Sequence, residues 1–205
     1  MARYAKEHKD ATRQRIAETA GRRFKRAGID GSGIATLMKD AGLTNGAFYA
    51  HFQSKDDLVA TIVADQLRGQ GEWIRGTATS RAGVERIVRE YLSPAHRDSP
   101  EEGCPSAALL DEIGRCPDAT RQAYTDGVLS FIDDIAAVLA PDDPASVRVK
   151  TLSVYAQLVG TMQLARALTD AQLADKVLEE GIRNALAVLG VAGSSVGSQT
   201  EGGAG

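Results

Sequence analysis

From Thr12 to Ala27 the apolar residues Ile16, Ala20, Phe24 and Ala27 recur at spacings of four, four and three, while Arg13, Arg15, Arg22, Arg23 and Arg26 lie mostly off that stripe. This is the period of an amphipathic helix. Gly28 ends it, because glycine takes the left-handed conformation that follows a helix cap, and Ile29 is placed to fold back on the last turn. Ser32 is positioned to cap a short helix from Gly33 to Ala41 that sets Ile34, Leu37 and Ala41 on one face, and Gly42 closes it. Thr44 is the next N-cap, with Asn45, Gly46 and Ala47 as the first turn of a third helix reaching about Phe52. Ser54 caps a fourth, whose first turn carries Asp56 and Asp57 where the helix dipole favours acids, and which runs through Leu58, Ile62, Val63 and Leu67 to about Arg68. Two short helices joined by a glycine-bearing turn and packed on a longer first helix form a helix-turn-helix unit.

Helical periods continue downstream. Val84, Ile87, Val88, Tyr91 and Leu92 form one stripe, Ala107, Leu110 and Ile113 a shorter one, and Ala123, Val128, Phe131, Ile132, Ile135 and Leu139 a long one. All six prolines fall between or at the starts of these segments, as expected of a residue that interrupts helices. The last two segments, about 144–168 and 170–189, are apolar on more than one face, so they are either buried all round or shared with another molecule. Residues 193–205 are Gly/Ser-rich and read as a disordered tail. The expectation is an all-α protein of about nine helices. It divides into a three-helix head at 1–53, a larger helical body at 54–192, and the tail.

Composition agrees with a helical chain: aromatics are 5% and hydrophobics 43%, the latter mostly Ala, Leu, Val and Ile. A chain of 205 residues buries enough surface to fold without disulfide or metal. The net charge of -3 conceals a division that changes the picture. Residues 1–55 hold eleven Lys and Arg against five acids, a balance of +6, and the rest of the chain is -9. A basic head on an acidic body suggests that only the head meets a polyanion. No apolar run is long enough to span a membrane and the first residues are polar, so a cytoplasmic location is expected. The GIDGSG stretch at 28–33 lacks the following Lys-Ser/Thr and the preceding strand of a phosphate loop, and reads as a connector. HExxH and dinucleotide fingerprints are absent, and His8, His51 and His96 are not spaced as metal ligands. Neither an enzyme nor a cofactor is expected.

Residues 33–58 resemble the head of the tetracycline-repressor (TetR) family of bacterial regulators. Leu37, Ala41, Gly42, Leu43, Thr44, Gly46, Phe48, Tyr49, His51, Phe52, Ser54, Lys55, Asp56, Asp57 and Leu58 follow the family pattern in order and without gaps. Two positions depart from it. Met38 stands where Ala is usual, and Ala47 where Ser or Thr is common, which removes one potential DNA contact. The resemblance covers about residues 10–60. It implies a homodimer whose third helices enter successive major grooves of double-stranded DNA. A rigid recognition helix in a dimer in turn predicts a palindromic operator with half-sites roughly 34–36 Å apart.

Within the motif, spacing separates roles. Phe48 and Phe52 are four apart, share a face, and are expected in the head's core. Tyr49 points elsewhere, and the resemblance implies that its hydroxyl meets a phosphate. Asn45 and Gly46 lie at the leading turn, where Asn suits adenine and Gly permits close approach to base edges. Thr44, Thr36 and Lys55 are phosphate candidates, with Lys9 and Arg13 adding charge from the first helix. His51 is left between two roles, a phosphate contact or closure of the small core. In the body, the resemblance implies a pocket for a small effector, with Leu67, Trp73, Leu110, Phe131, Tyr155 and Met162 as candidates, and these favour a hydrophobic or aromatic ligand. Dimerisation is assigned to the last two helices. Two alternatives stand beside this reading. Cys104 and Cys116 each precede proline, which could set them at helix N-caps as redox- or electrophile-sensing thiols. The protein could also be an architectural DNA binder that needs no effector.

Overall fold

Polar side chains set the helix starts. Ser54 accepts a hydrogen bond from the Asp57 backbone N–H at 3.1 Å, and the Asp57 carboxylate accepts one from the Gln53 N–H at 2.9 Å, a reciprocal cap that satisfies two otherwise orphaned donors. Ser80, Ser93 and Asp170 accept backbone N–H bonds at the starts of later helices, and Pro94 and Pro105 occupy first turns, where a missing N–H costs nothing. The computed structural model describes residues 2–191, apart from the side chains of 2–6. The expected tail at 193–205 lies outside the described residues.

These residues form α1 (Ala2–Ala27), α2 (Ile34–Asp40), a 3₁₀ helix (Asn45–Ala50), α3 (Lys55–Thr77), α4 (Arg81–Tyr91), α5 (Pro94–Asp98), α6 (Pro105–Arg115), α7 (Asp118–Leu139), α8 (Ala145–Ala167) and α9 (Ala171–Leu189). The chain is all-α, as its periodicity indicates. Four local expectations are corrected. The first helix begins at Ala2 rather than Thr12, and Ala27 faces solvent while Ala17 joins the buried stripe. Ser32 does not cap α2; its hydroxyl donates to the Gly28 carbonyl at 2.8 Å and fastens the connector instead. The third helix is a six-residue 3₁₀ turn that ends at Ala50. The fourth helix runs nine residues past Arg68, to Thr77.

In the head, Ile16, Ala20 and Phe24 of α1 enclose a core with Leu37 and Met38 of α2 and with Phe48 and Phe52, all buried. Each large apolar side chain removed from water contributes roughly 1.5–3 kcal/mol, so these few residues fix the short 3₁₀ turn on its scaffold. Met38, where the family usually has Ala, is completely enclosed and fills that core.

In the body, α3 packs along α7. A Cβ built on Gly127 of α7 would lie 2.6 Å from the Leu67 Cβ of α3, so the two helices approach too closely for any side chain at that position. Arg166 of α8 donates to the carbonyls of His96 at 2.7 Å and Ala107 at 3.1 Å, tying α5 and α6 to the bundle. Arg81 donates to the Leu139 carbonyl at 2.8 Å, a cation at the C-terminus of α7 where the dipole favours one.

Helix α6 fastens the head to the body. The Glu112 carboxylate accepts hydrogen bonds from the Ile29 N–H at 2.7 Å and the Asp30 N–H at 3.1 Å, in the turn between α1 and α2. Lys25 donates to the Gly103 carbonyl at 2.9 Å. The Arg22–Glu102 pair, 3.3 Å apart and exposed on both sides, adds little because water screens it. Ser54→Ala should lower stability by about 1 kcal/mol through the lost cap. Glu112→Ala should lower it by about 1–3 kcal/mol, because two backbone donors lose their acceptor. Urea unfolding checks both, and midpoints equal to the parent's would contradict the roles given to these groups.

Candidate nucleic-acid interface and interior cavity

The 3₁₀ helix turns one aromatic in and one out. Backbone bonds from Ala47 N to Thr44 O at 3.1 Å and from His51 N to Phe48 O at 2.9 Å close its i→i+3 turns. Phe48 is completely buried, its ring 5.7 Å from that of Phe52. Tyr49 is 67% exposed, and its ring meets Phe48 edge-on at 5.2 Å. Residues three apart eclipse in a 3₁₀ helix, so Gly46 and Tyr49 lie on one line. Thr44, Asn45 and Gly46 are all exposed in the leading turn. Thr44 occupies the N-cap position, yet its hydroxyl makes no capping bond. No atom lies within 4 Å of a Cβ built on Gly46, so packing within the chain does not require a glycine there. Thr36 on α2 and Lys55 at the start of α3 are each partly exposed.

His51 and Arg13 take less expected places. His51 is half-buried, and its Nδ1 has no hydrogen-bond partner among the described residues. Burial first, then the charges of Lys9 and Arg13, lower its pKa from the ordinary histidine value, which keeps the ring neutral near pH 7. Arg13 is not a surface charge. Its guanidinium lies 4.0 Å over the Phe52 ring, donates to the Thr61 hydroxyl at 3.2 Å and donates to the His51 carbonyl. It joins α1, the end of the 3₁₀ helix and α3 by one cation–π contact and two hydrogen bonds. Lys9 remains exposed.

The candidate pocket residues separate. Trp73, Phe131 and Tyr155 line an interior cavity of about 30 Å³ enclosed by α3, α4, α7, α8 and α9. Leu67 and Met162 are buried outside its lining, and Leu110 is on the outer side of α6, where Leu109 is the core residue. Gln70 and Tyr91 also line the cavity; a polar residue and a stripe member gave no sequence signal that would single them out. Beside the cavity, the Cys104 thiol donates to Gln70 Oε1 at 3.3 Å and lies 3.2 Å from the Tyr155 hydroxyl. Tyr155 donates to Ser106 Oγ at 2.7 Å, and Ser106 lies 3.0 Å from the Tyr124 hydroxyl. The Tyr91 hydroxyl is buried beside the Cys104 thiol but makes no well-formed hydrogen bond among the described residues. His96 Nε2 accepts from the Cys104 N–H at 3.2 Å while Nδ1 sits 2.6 Å from the Tyr91 carbonyl. This arrangement needs a neutral ring protonated on Nδ1.

The cysteines occupy unlike positions. Cys104 is the N-cap of α6, but its thiol turns inward instead of capping the helix. Cys116 is the C-cap of α6, not an N-cap. Burial, followed by the charges of Asp56, Asp30 and Glu112, raises the Cys116 pKa above the ordinary thiol value.

A helix-turn-helix head with a basic balance is thus joined by one continuous helix to an all-α body with an interior cavity. Residues 14–62 match the family described as bacterial regulatory proteins, tetR family. The match is confined to this head, which is similar to those of the TetR family. It is 40% identical over 62 residues to the HTH-type transcriptional regulator AcrR of Shigella flexneri, covering 30% of this chain and 29% of that one. It is 29% identical over 143 residues to the HTH-type transcriptional regulator SrpR of Pseudomonas putida, covering 66% and 64%. The chain thus spans under a third of AcrR and just under two thirds of SrpR. The fold as a whole is similar to the reduced form of E. coli NemR, with a TM-score of 0.73 at 18% identity over 85% of this chain and 95% of that one. It is also similar to a TetR-family regulator from Agrobacterium tumefaciens, with a TM-score of 0.72 at 20% identity over 86% and 98%.

Because the thiolate is the reactive form, a raised pKa makes Cys116 slow at neutral pH. In Cys104→Ser protein, alkylation of Cys116 by iodoacetamide should still be accelerating at pH 9. A rate that levels off below pH 8 would contradict the environment described.

Proposed function

We propose that the protein is a transcriptional repressor that binds a palindromic operator as a homodimer and is released by a small hydrophobic or aromatic effector. The observation that carries the DNA-binding part is the leading turn itself: Thr44, Asn45, Gly46 and Tyr49 face outward from a turn that Phe48 and Phe52 lock from beneath. On this reading Asn45 and Gly46 meet base edges, and Thr36, Thr44, Tyr49 and Lys55 meet phosphates. The neutral His51 acts in closing the head's core, and residues 1–53 are the DNA-binding unit.

Dimerisation through the last two helices is supported by their outer faces. Leu152 and Leu164 on α8 and Leu173 and Val188 on α9 are all exposed, an apolar surface that a second copy would cover. Residues 54–192 serve as the effector and dimer domain. Helix α3 links the two functions, because its first residue, Lys55, is a phosphate candidate and Trp73, near its end, lines the cavity. An effector that binds better to the dimer arrangement unable to bind DNA lowers operator affinity by that difference in affinity and no more. The protein works in the cytoplasm, without a cofactor and without catalytic chemistry. Among the described residues no helix is long and apolar enough to cross a membrane.

Tyr49→Phe and Lys55→Ala should both weaken binding to operator and non-operator DNA alike. Lys55→Ala should in addition reduce the dependence of log affinity on log salt by about one phosphate contact. Fluorescence anisotropy with labelled duplex across a salt series tests this, and unchanged affinity and slope would remove these residues from the interface.

A further inference from the structure

Two spaces in the body share a wall. A surface cleft of about 350 Å³, bordered by Lys25, His96 and Cys104, and the small interior cavity are both lined by Gln70, Trp73 and Tyr91. Trp73 is partly exposed, so its ring can swing toward solvent more readily than the enclosed core. The cavity behind it carries no charged side chain. Phe131 and Tyr155 meet edge to face there at 5.1 Å, and Tyr91 and Tyr155 at 6.1 Å, an arrangement that accepts a further flat ring. One polar group on this wall is unmatched. The Tyr91 hydroxyl lies beside the Cys104 thiol, which is already engaged with Gln70 and Tyr155, and makes no well-formed hydrogen bond among the described residues, whereas buried polar groups seldom go without one. Burial, and then the neighbouring Cys104, raise the Tyr91 pKa well above the ordinary phenol value, so the hydroxyl stays a donor.

We propose that this cavity takes a neutral, flat aromatic molecule bearing one hydrogen-bond-accepting oxygen, which enters from the cleft past Gln70 and Trp73 and is held by the Tyr91 hydroxyl. The proposal rests on the effector reading above and gives it a chemistry. An ionised ligand is excluded, because a charge moved into an uncharged apolar space loses its hydration and finds no counter-charge. A purely apolar ring is accepted less well, because it leaves Tyr91 unpaired. At about 30 Å³ the closed cavity holds little more than a water. A ring therefore enters only when Trp73 moves, and Trp73 is on the helix that starts in the head.

Three probes of similar size separate the possibilities: acetophenone, α-methylstyrene, which has its shape but no acceptor, and benzoate, which is charged. Calorimetric titration of the full chain should show binding of acetophenone, binding of α-methylstyrene about tenfold weaker, as one neutral hydrogen bond is worth, and no binding of benzoate. Trp73 is the chain's one tryptophan, so its emission should change with acetophenone at the same midpoint. Tyr91→Phe should bring acetophenone to the level of α-methylstyrene. Benzoate binding as tightly as acetophenone, acetophenone indifferent to Tyr91→Phe, equal binding of acetophenone and α-methylstyrene, or no binding of any probe would overturn the proposal. Operator binding is measured separately. Probes behaving as stated in a protein that binds no operator would support the pocket chemistry and refute the regulator reading, and failed probes with intact operator binding would refute the pocket chemistry alone.

Discussion

Helix α3 belongs to both halves of the molecule, and the rest of the structure depends on its being one rigid rod. Its 23 residues extend about 34 Å at 1.5 Å per residue. The Ser54–Asp57 cap starts it immediately after the exposed 3₁₀ turn, and its far end forms the wall between cleft and cavity. The close crossing on α7 at Gly127 holds its middle. One unbroken helix therefore connects Trp73 to the head.

Two further fasteners decide how the head responds. Arg13 joins α1 to the end of the 3₁₀ turn and to α3, so the recognition turn moves with α3. Glu112 and Gly103, at either end of α6, hold the α1–α2 turn and Lys25, so the head is also tied to a second body helix. The N-cap of that helix is Cys104, whose thiol contacts the cavity's polar edge. The head is thus supported at two points, through α3 and through α6.

Much of this was legible in the residues because it is local. The Ser54 cap, the stop at Gly28, the buried pair Phe48 and Phe52 and the stripe from Val84 to Leu92 follow from spacing and from backbone hydrogen-bonding demands, and all stand in the structure. What escaped was tertiary. Six residues are too few for periodicity to distinguish a 3₁₀ turn from an α-helix. Arg13 has the composition of a DNA-facing charge, and only the placement of Phe52 and the His51 carbonyl reveals its internal use. Gly69, Gly71 and Gly76 argue against a helix continuing past Arg68, but α3 passes through them because packing on α7 outweighs their propensity. Leu110 and Leu109 differ by one step around α6, which is enough to exchange core for surface. Tyr91 reads as an ordinary member of an apolar stripe, and its unmatched hydroxyl is visible only when the neighbours from α6 and α8 are in place.

The measurement that bears most directly on the central claim is selection of bound duplexes from a random pool by the full chain. A regulator of this design should enrich a palindrome whose half-site centres lie about one helical turn apart. Enrichment of unpaired half-sites, or no enrichment above the input pool, would contradict it.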